Sequence, residues 1–262
     1  MPKRKNLKRN EMRLIFFTVC GTLLLLFGCG SDEMLEPMEV VPNYFPDAVG
    51  SRWVYLYSDG IQGATEVNDE INIDGKNYRT LKETPPNAET DFDLLKPISY
   101  RVTENQILFA IGGEIDHYVQ NEIPASVQDD FTGLDLSVTV EPISSPELVF
   151  LQFPPSPSFQ WDALNMQING SIILQNIALL QFPFEVVIRI TGEVVAEGPL
   201  ETPAGNFEKT YQLEYQTEIT QTLFSETKTT AHSQTIWFVP HVGIAKTENE
   251  LGGSELIEYS VK

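Results

Sequence analysis

The feature that most constrains this chain is alternation. From Tyr44 onward, apolar residues return at every second position in segment after segment, and turn residues separate the segments. Successive strand side chains point to opposite faces, so this period belongs to sheets with one buried and one solvated face. "RWVYLYSDG" puts Trp53, Tyr55 and Tyr57 on one face and Val54 and Leu56 on the other, and Asp59-Gly60 ends it. "INIDGKNYRTL" reads as a hairpin, because Asp74-Gly75 supplies the two positive-φ residues of a type I′ turn. "MQINGSII" carries the same signal at Asn169-Gly170 and is expected to turn there. "FEVVIRITGEVV", "YQLEYQTEITQTLF" and the threonine-rich stretch 210–235 have the composition of half-buried strands. Convincing helical periodicity is absent; a turn or two is expected near Asp91 to Leu95, and Gly112-Gly113 reads as a bend. The expectation is an all-β chain with a single antiparallel β domain over 44–262, either an incomplete barrel or a sandwich.

Two spaced matches suggest an internal duplication with halves 44–149 and 150–262. "FPDAVGSRW" (Phe45 to Trp53) and "FPPSPSFQW" (Phe153 to Trp161) share Phe-Pro, six residues, then Trp. "YRVTENQI" (Tyr100 to Ile107) and "WFVPHVGI" (Trp237 to Ile244) share an aromatic residue, one residue, Val, four residues, then Ile. Each Trp is expected to open a strand and plug one end of the core, with the preceding proline fixing the angle of entry.

The first 28 residues follow a different logic. Lys3, Arg4, Lys5, Lys8, Arg9 and Arg13 are opposed only by Glu11, and a charge-free apolar run follows from Leu14 to Phe27. About 14 residues of helix are too short to cross a ~30 Å hydrocarbon core. A basic flank, a short apolar core and a small residue at its end form a secretory leader. "LFGC" places Leu26 three before Cys29 and Gly28 directly before it, which resembles the lipobox of bacterial lipoproteins. That resemblance implies cleavage between Gly28 and Cys29 and acylation of Cys29, palmitate being the usual kind of chain. Cys20 leaves with the leader, so neither a disulfide nor a cysteine-bound zinc site is expected in the 262-residue chain. Residues 29–43, acidic and proline-punctuated, read as a tether after the lipidated cysteine. Gly30 follows the cysteine, with no aspartate retention signal there, so the outer membrane is favoured in a two-membrane envelope.

Charge excludes one class of partner. The chain carries 17 basic and 37 acidic residues; without the leader 11 face 36, a net −25. Such a surface repels nucleic acid and anionic headgroups, so no nucleic acid is expected.

"YFPDAVGSRWVY", "ETPAGNFEKTYQL" (Glu201 to Leu213) and "WFVPHVGIAKTE" (Trp237 to Glu248) resemble recurring segments of uncharacterised bacterial lipoproteins. They span the start, middle and end of the domain. The resemblance implies no activity, and the segments are structural in flavour, with Pro203-Ala204-Gly205 a turn before a strand.

Catalytic and metal signatures are weak. No Gly-x-Ser-x-Gly elbow occurs, and Gly252-Gly253-Ser254-Glu255 reads as a hairpin turn. Glu70, Asn72, Asp74 and Gly75 mimic the first half of a calcium loop, but Leu81 stands where a bidentate glutamate belongs. His117, beside Asp116, is read as a strand residue; with His232 and His241 it shows no ligand spacing, so no metal and no cofactor is expected. Paired carboxylates such as Asp129-Asp130 keep an envelope hydrolase open as the alternative. The unusual region is Ala163 to Phe184, charge-free over about 22 residues. It is read either as a hairpin buried on both faces or as an apolar ligand or docking surface lined by Leu179, Leu180, Phe182 and Phe184. The functional expectation is a lipid-anchored envelope protein, non-enzymatic, that binds an apolar ligand or a protein partner.

Overall fold

The computed structural model describes residues 44–85, 93–96, 98–127, 136–142, 146–174 and 180–262. Among them thirteen strands form one antiparallel sheet. They are β1 (Arg52–Tyr57), β2 (Gln62–Ile73), β3 (Lys76–Thr84), β4 (Ser99–Val102), β5 (Gln106–Ala110), β6 (Leu136–Val140), β7 (Glu147–Gln152), β8 (Gln160–Leu174), β9 (Leu180–Thr202), β10 (Gly205–Leu223), β11 (Glu226–Val239), β12 (Gly243–Asn249) and β13 (Gly252–Ser260). Their order is β6-β8-β9-β10-β11-β12-β13-β1-β2-β3-β4-β5-β7. The sheet is open: β6 and β7 end it and do not pair with each other. It contains two six-stranded runs, β1–β5 with β7 and β8–β13, joined where β13 pairs with β1, and β6 adds a thirteenth strand at the edge beside β8.

The matched sequence segments fall at matching places in the two runs. Trp53 and Trp161 are each the second residue of the first strand of their run. Val102 and Val239 each end the fourth strand at the hairpin leading to the fifth. Each tryptophan donates its indole N–H to a backbone carbonyl of the other run: Trp53 Nε1 to Val242 O at 2.6 Å and Trp161 Nε1 to Val149 O at 2.9 Å.

Bulges curl this long sheet onto itself. The register shifts between Val54 and Tyr55, Ile107 and Leu108, Asp162 and Leu164, Gln212 and Leu213, and Trp237 and Phe238. Each extra residue bends its strand and increases local twist. Inner faces then meet across a core of stacked rings. Phe150 on β7 lies 4.6 Å from Phe109, 5.9 Å from Tyr215 on β10 and 6.1 Å from Phe238 on β11. Phe45 meets Tyr100 edge-on at 4.7 Å. At the β7–β8 seam there is no ladder; besides Trp161, the Tyr215 hydroxyl donates to Phe150 O.

A short helical segment bridges the two free edges, where a bend was expected. It comprises α1 (Gly112–His117), a π turn (Tyr118–Glu122) and α2 (Ile123–Val127). It starts beside β7, with Ile111 N–H donating to Pro146 O at 3.1 Å, and reaches β6. Ile111, Ile115, Val119 and Ile123 are all buried. A four-residue repeat drifts by about 40° per turn on an ideal α-helix; the wider π turn keeps these side chains on one face. His117 therefore sits on a helix, not a strand.

The glycine of Asn169-Gly170 has a different reason from the one expected. Both residues lie inside β8, which runs unbroken through them. Gly170 stands opposite Phe184, and a Cβ there would sit 2.5 Å from the Phe184 ring and from Thr139 O. The glycine serves close approach, not a turn. Asp74-Gly75 does turn as expected, with φ of 49° and 80°. The β10–β11 hairpin turns at Phe224-Ser225, both with positive φ, 52° and 68°. No glycine or asparagine marks this turn in the sequence.

Candidate functional site

The three recurring segments converge at one end of the core and pack it. Phe45 stacks 6.2 Å from Phe238, and His241 N–H donates to Tyr44 O at 2.8 Å. Ala204, in the Pro203-Ala204 turn, donates its N–H to Leu256 O at 3.2 Å, and the Phe207 ring lies 6.0 Å from Tyr259, which pairs with Trp53. These residues hold the chain's entry, not a reactive centre.

The charge-free segment 163–184 supplies β8 and the start of β9. One face packs in the core, while Asn165, Gln167, Gln181 and Pro183 on the other are exposed. Leu180, Phe182 and Phe184 share a face, since strand residues alternate. Their burial is graded: Phe184 is 3% exposed, Phe182 half-buried and Leu180 45% exposed. Phe184 is thus part of the core, and Leu179 lies outside the described residues. The Phe182 ring meets Phe224 edge-on at 4.8 Å. Pro183 lies one residue beyond the last β9 partner of β10, so its missing N–H breaks no bond there.

Beside this apolar row lies an open groove of about 790 Å³. Gly170, Phe184 and Pro183 line its apolar part; Thr139, Ser171, Gln181 and Thr222 bring hydroxyls and an amide. Glu141 and Glu185 are its carboxylates. Glu185 accepts from Gln167 Nε2 at 2.7 Å, and the backbone N–H of Glu141 donates to Asn169 O at 2.9 Å. The groove holds no Lys or Arg.

A second polar centre lies outside the core, on the first run. Glu147 on β7 accepts from Arg101 Nε at 2.5 Å, from Arg101 Nη2 at 3.1 Å, from Lys76 Nζ at 2.5 Å and from the Tyr78 hydroxyl at 2.6 Å. Burial pushes the Glu147 carboxyl up, but hydrogen bonds from Arg101, Lys76 and Tyr78 outweigh it and hold its pKa at about 2. Burial, with the Glu147 carboxylate beside it, pushes the Tyr78 phenol up to about 12. A carboxylate so fully occupied fastens β3, β4 and β7 together and offers no free lone pair for proton transfer. Its partners lie 46 to 71 residues away in sequence, so no spacing could have announced it.

Among the described residues no group of three or more His, Cys, Asp or Glu side chains is placed to hold a metal. His117 Nδ1 lies 3.1 Å from Asn121 Nδ2, one helical turn away. Cys29, Gly28 and the Asp129-Asp130 pair lie outside the described residues.

No family model matches the sequence, and comparison with curated proteins finds no match. Among solved structures the chain is similar to one described as a putative lipoprotein from Parabacteroides distasonis. The two are 12% identical, with a TM-score of 0.40 over 84% of this chain and 99% of the other. It is also similar to one described as a putative exported protein with a YmcC-like fold from Bacteroides fragilis, at 14% identity and a TM-score of 0.37 over the same shares.

Proposed function

We propose that this is an exported bacterial lipoprotein, anchored in the cell envelope through acylated Cys29, whose β domain binds an apolar ligand or a protein partner. The observation that carries the reading is the leader: six basic residues, an uncharged apolar run, then "LFGC". Gly30 after the cysteine favours the outer membrane. An amide-linked chain plus a diacyl group gives stable anchoring where one chain would not. The half-exposed row of Leu180 and Phe182, flanked by the 790 Å³ groove, supports binding at the far end of β9. The test is metabolic labelling with a palmitate analogue, followed by intact-mass analysis of the membrane fraction. Wild type incorporates label and loses residues 1–28, and Cys29→Ser does neither. An unmodified Cys29 in membrane-extracted protein overturns the anchor. For the binding surface, Phe182→Ser is expected to leave the thermal midpoint nearly unchanged and to weaken retention of a hydrophobic fluorescent probe; unchanged retention refutes that surface.

A further inference from the structure

An unpaired strand edge is a template for another strand, because its N–H and C=O groups point out in a row. β6 and β7 end the sheet, but the helical segment reaches β6, and the Trp161 and Tyr215 bonds close β7. A third edge lies within the strand order. β12 pairs only with residues 234–239 of β11, from Gln234↔Asn249 to Val239↔Gly243. Residues 226–233 of β11 have β10 on one side and, among the described residues, no strand on the other. All of them but Thr230 are exposed. Leu223 and Glu226 close the two-residue turn as a hydrogen-bonded pair, so Thr227, Thr229, Ala231 and Ser233 aim their N–H and C=O groups outward. The stretch of β2 left unpaired by β1, residues 68–73, carries Asp69 and Glu70, charges that keep other strands away. The β11 edge has no such guard. It holds one acid and one base, Glu226 and Lys228, in a chain of net charge −20. Two acidic copies meet here without the repulsion they feel elsewhere.

We infer that this edge of β11 pairs antiparallel with the same edge of a second copy, about a two-fold axis at Thr227. The register follows by elimination. Outward-bonding residues must face each other, so the axis passes through a residue. An axis at Glu226 or Lys228 sets like charges directly opposite, which is destabilising. An axis at Thr229 sets the partner's Phe224 opposite Gln234, where Asn249 of β12 already sits, and axes further along collide more deeply. The axis at Thr227 clears β12 and places Glu226 opposite the partner's Lys228, twice by symmetry. Neither side chain forms an ion pair among the described residues of its own chain. On the opposite face Thr227 meets Thr222 of β10 at 3.1 Å. The two-fold extends this into an unbroken row of four threonines, a favourable cross-strand pairing. Only the two hairpin tips overlap, so the pairing is weak between free molecules. A shared membrane raises the effective concentration of the copies, and to that extent the proposal rests on the Cys29 anchor.

The experiment uses the mature acylated protein in phosphatidylcholine vesicles under a mild oxidant. Thr227→Cys puts a thiol on the axis, and a disulfide-linked dimer is expected. Thr229→Cys puts the two thiols about 13 Å apart along the strands, too far to bridge, and should yield severalfold less dimer. Adding Glu226→Lys or Lys228→Glu to Thr227→Cys is expected to lower the yield severalfold, and both together restore it. No dimer from Thr227→Cys, equal dimer from both cysteine positions, or no rescue by the double charge swap overturns the pairing. A dimer of the protein without an added cysteine shows a free Cys29 thiol and overturns the anchor alone. In intact cells, a disulfide between Thr227→Cys and a different protein assigns the edge elsewhere and overturns the second copy. Energy transfer between copies labelled at Ser156→Cys reads the same loss and rescue of the charge swaps, which keeps the test decisive if Thr227→Cys misfolds.

Discussion

The two six-stranded runs place their tryptophans and their fourth hairpins alike, yet hold themselves together differently. The first run has short strands, 4 to 12 residues from β1 to β5 and 6 in β7, and leans on devices outside the ladder. These are the Glu147 cluster on its outer face and the helical segment at its open edge. The second run has strands of up to 23 residues and lays an aromatic ring over a glycine on two rungs of one ladder, a device the first run uses once, with Tyr57 over Gly63. Phe184 covers Gly170 and Trp161 covers Gly192, each across one rung of the β8–β9 ladder. Where the ladder is long, stability rides on packing against bare backbone. Where it is short, directional polar contacts pin strands that could not hold register alone.

The largest test strikes the ring-over-glycine device. Phe184→Asp buries a carboxylate with no cation opposite it, and should destabilise the protein by about 4 kcal/mol or more. Phe182→Asp, two residues along the same face but half-buried, should cost no more than about 1 kcal/mol. Denaturant titration of the two variants checks the step in burial between them, and similar losses would show the row is not graded.

The glycines themselves separate the runs next. Gly192→Ala drives a methyl into the Trp161 indole, and overpacking of this kind costs about 1–3 kcal/mol. Gly113→Ala, in α1 of the first run, meets no atom within 4 Å. There the gain in helix propensity should raise stability by about 0.5–1 kcal/mol. Thermal midpoints moving in opposite directions would confirm that the same substitution means different things in the two runs.

How much of this was legible follows from which forces are local. Alternation announced the all-β class because strand period is written residue by residue, and Asp74-Gly75 announced its turn because φ sign is a property of two residues. Asn169-Gly170 misled because a glycine that admits a ring looks the same in sequence as one that turns; only Phe184, fourteen residues on, tells them apart. The helix was missed because Ile111, Ile115, Val119 and Ile123 repeat every four residues, off the α period. The Glu147 cluster joins β3, β4 and β7, and no local pattern encodes such a meeting.

The Glu147 cluster gives the first run a pH dependence. Its folded pKa, about 2, lies below the ordinary 4.5. Its stabilisation is therefore complete above the unfolded value and is lost as pH falls from about 4.5 towards 2. Glu147→Gln should remove that acid-sensitive part and, by leaving Arg101 and Lys76 without their carboxylate, cost about 1–2 kcal/mol at neutral pH. Urea midpoints at pH 7, 4 and 3 measure it; an unchanged slope between wild type and variant would assign the acid sensitivity to other carboxylates.

The smallest effect compares the two hairpin turns directly. β2–β3 turns through Asp74-Gly75 and β10–β11 through Phe224-Ser225, and both place two residues at positive φ. Glycine carries no Cβ penalty there, whereas an L-residue costs about 1–2 kcal/mol. Ser225→Gly should relieve that strain, offset in part by the greater freedom glycine gives the unfolded chain. The net gain is about 0.5–1 kcal/mol, a rise of roughly 1–4 °C for a domain of this size. Gly75→Ala should do the reverse by a similar amount, since its φ is 80° and open space surrounds it, so backbone strain alone is measured. If Ser225→Gly instead lowers the midpoint, the serine side chain stabilises the β10–β11 turn by more than its backbone strain costs.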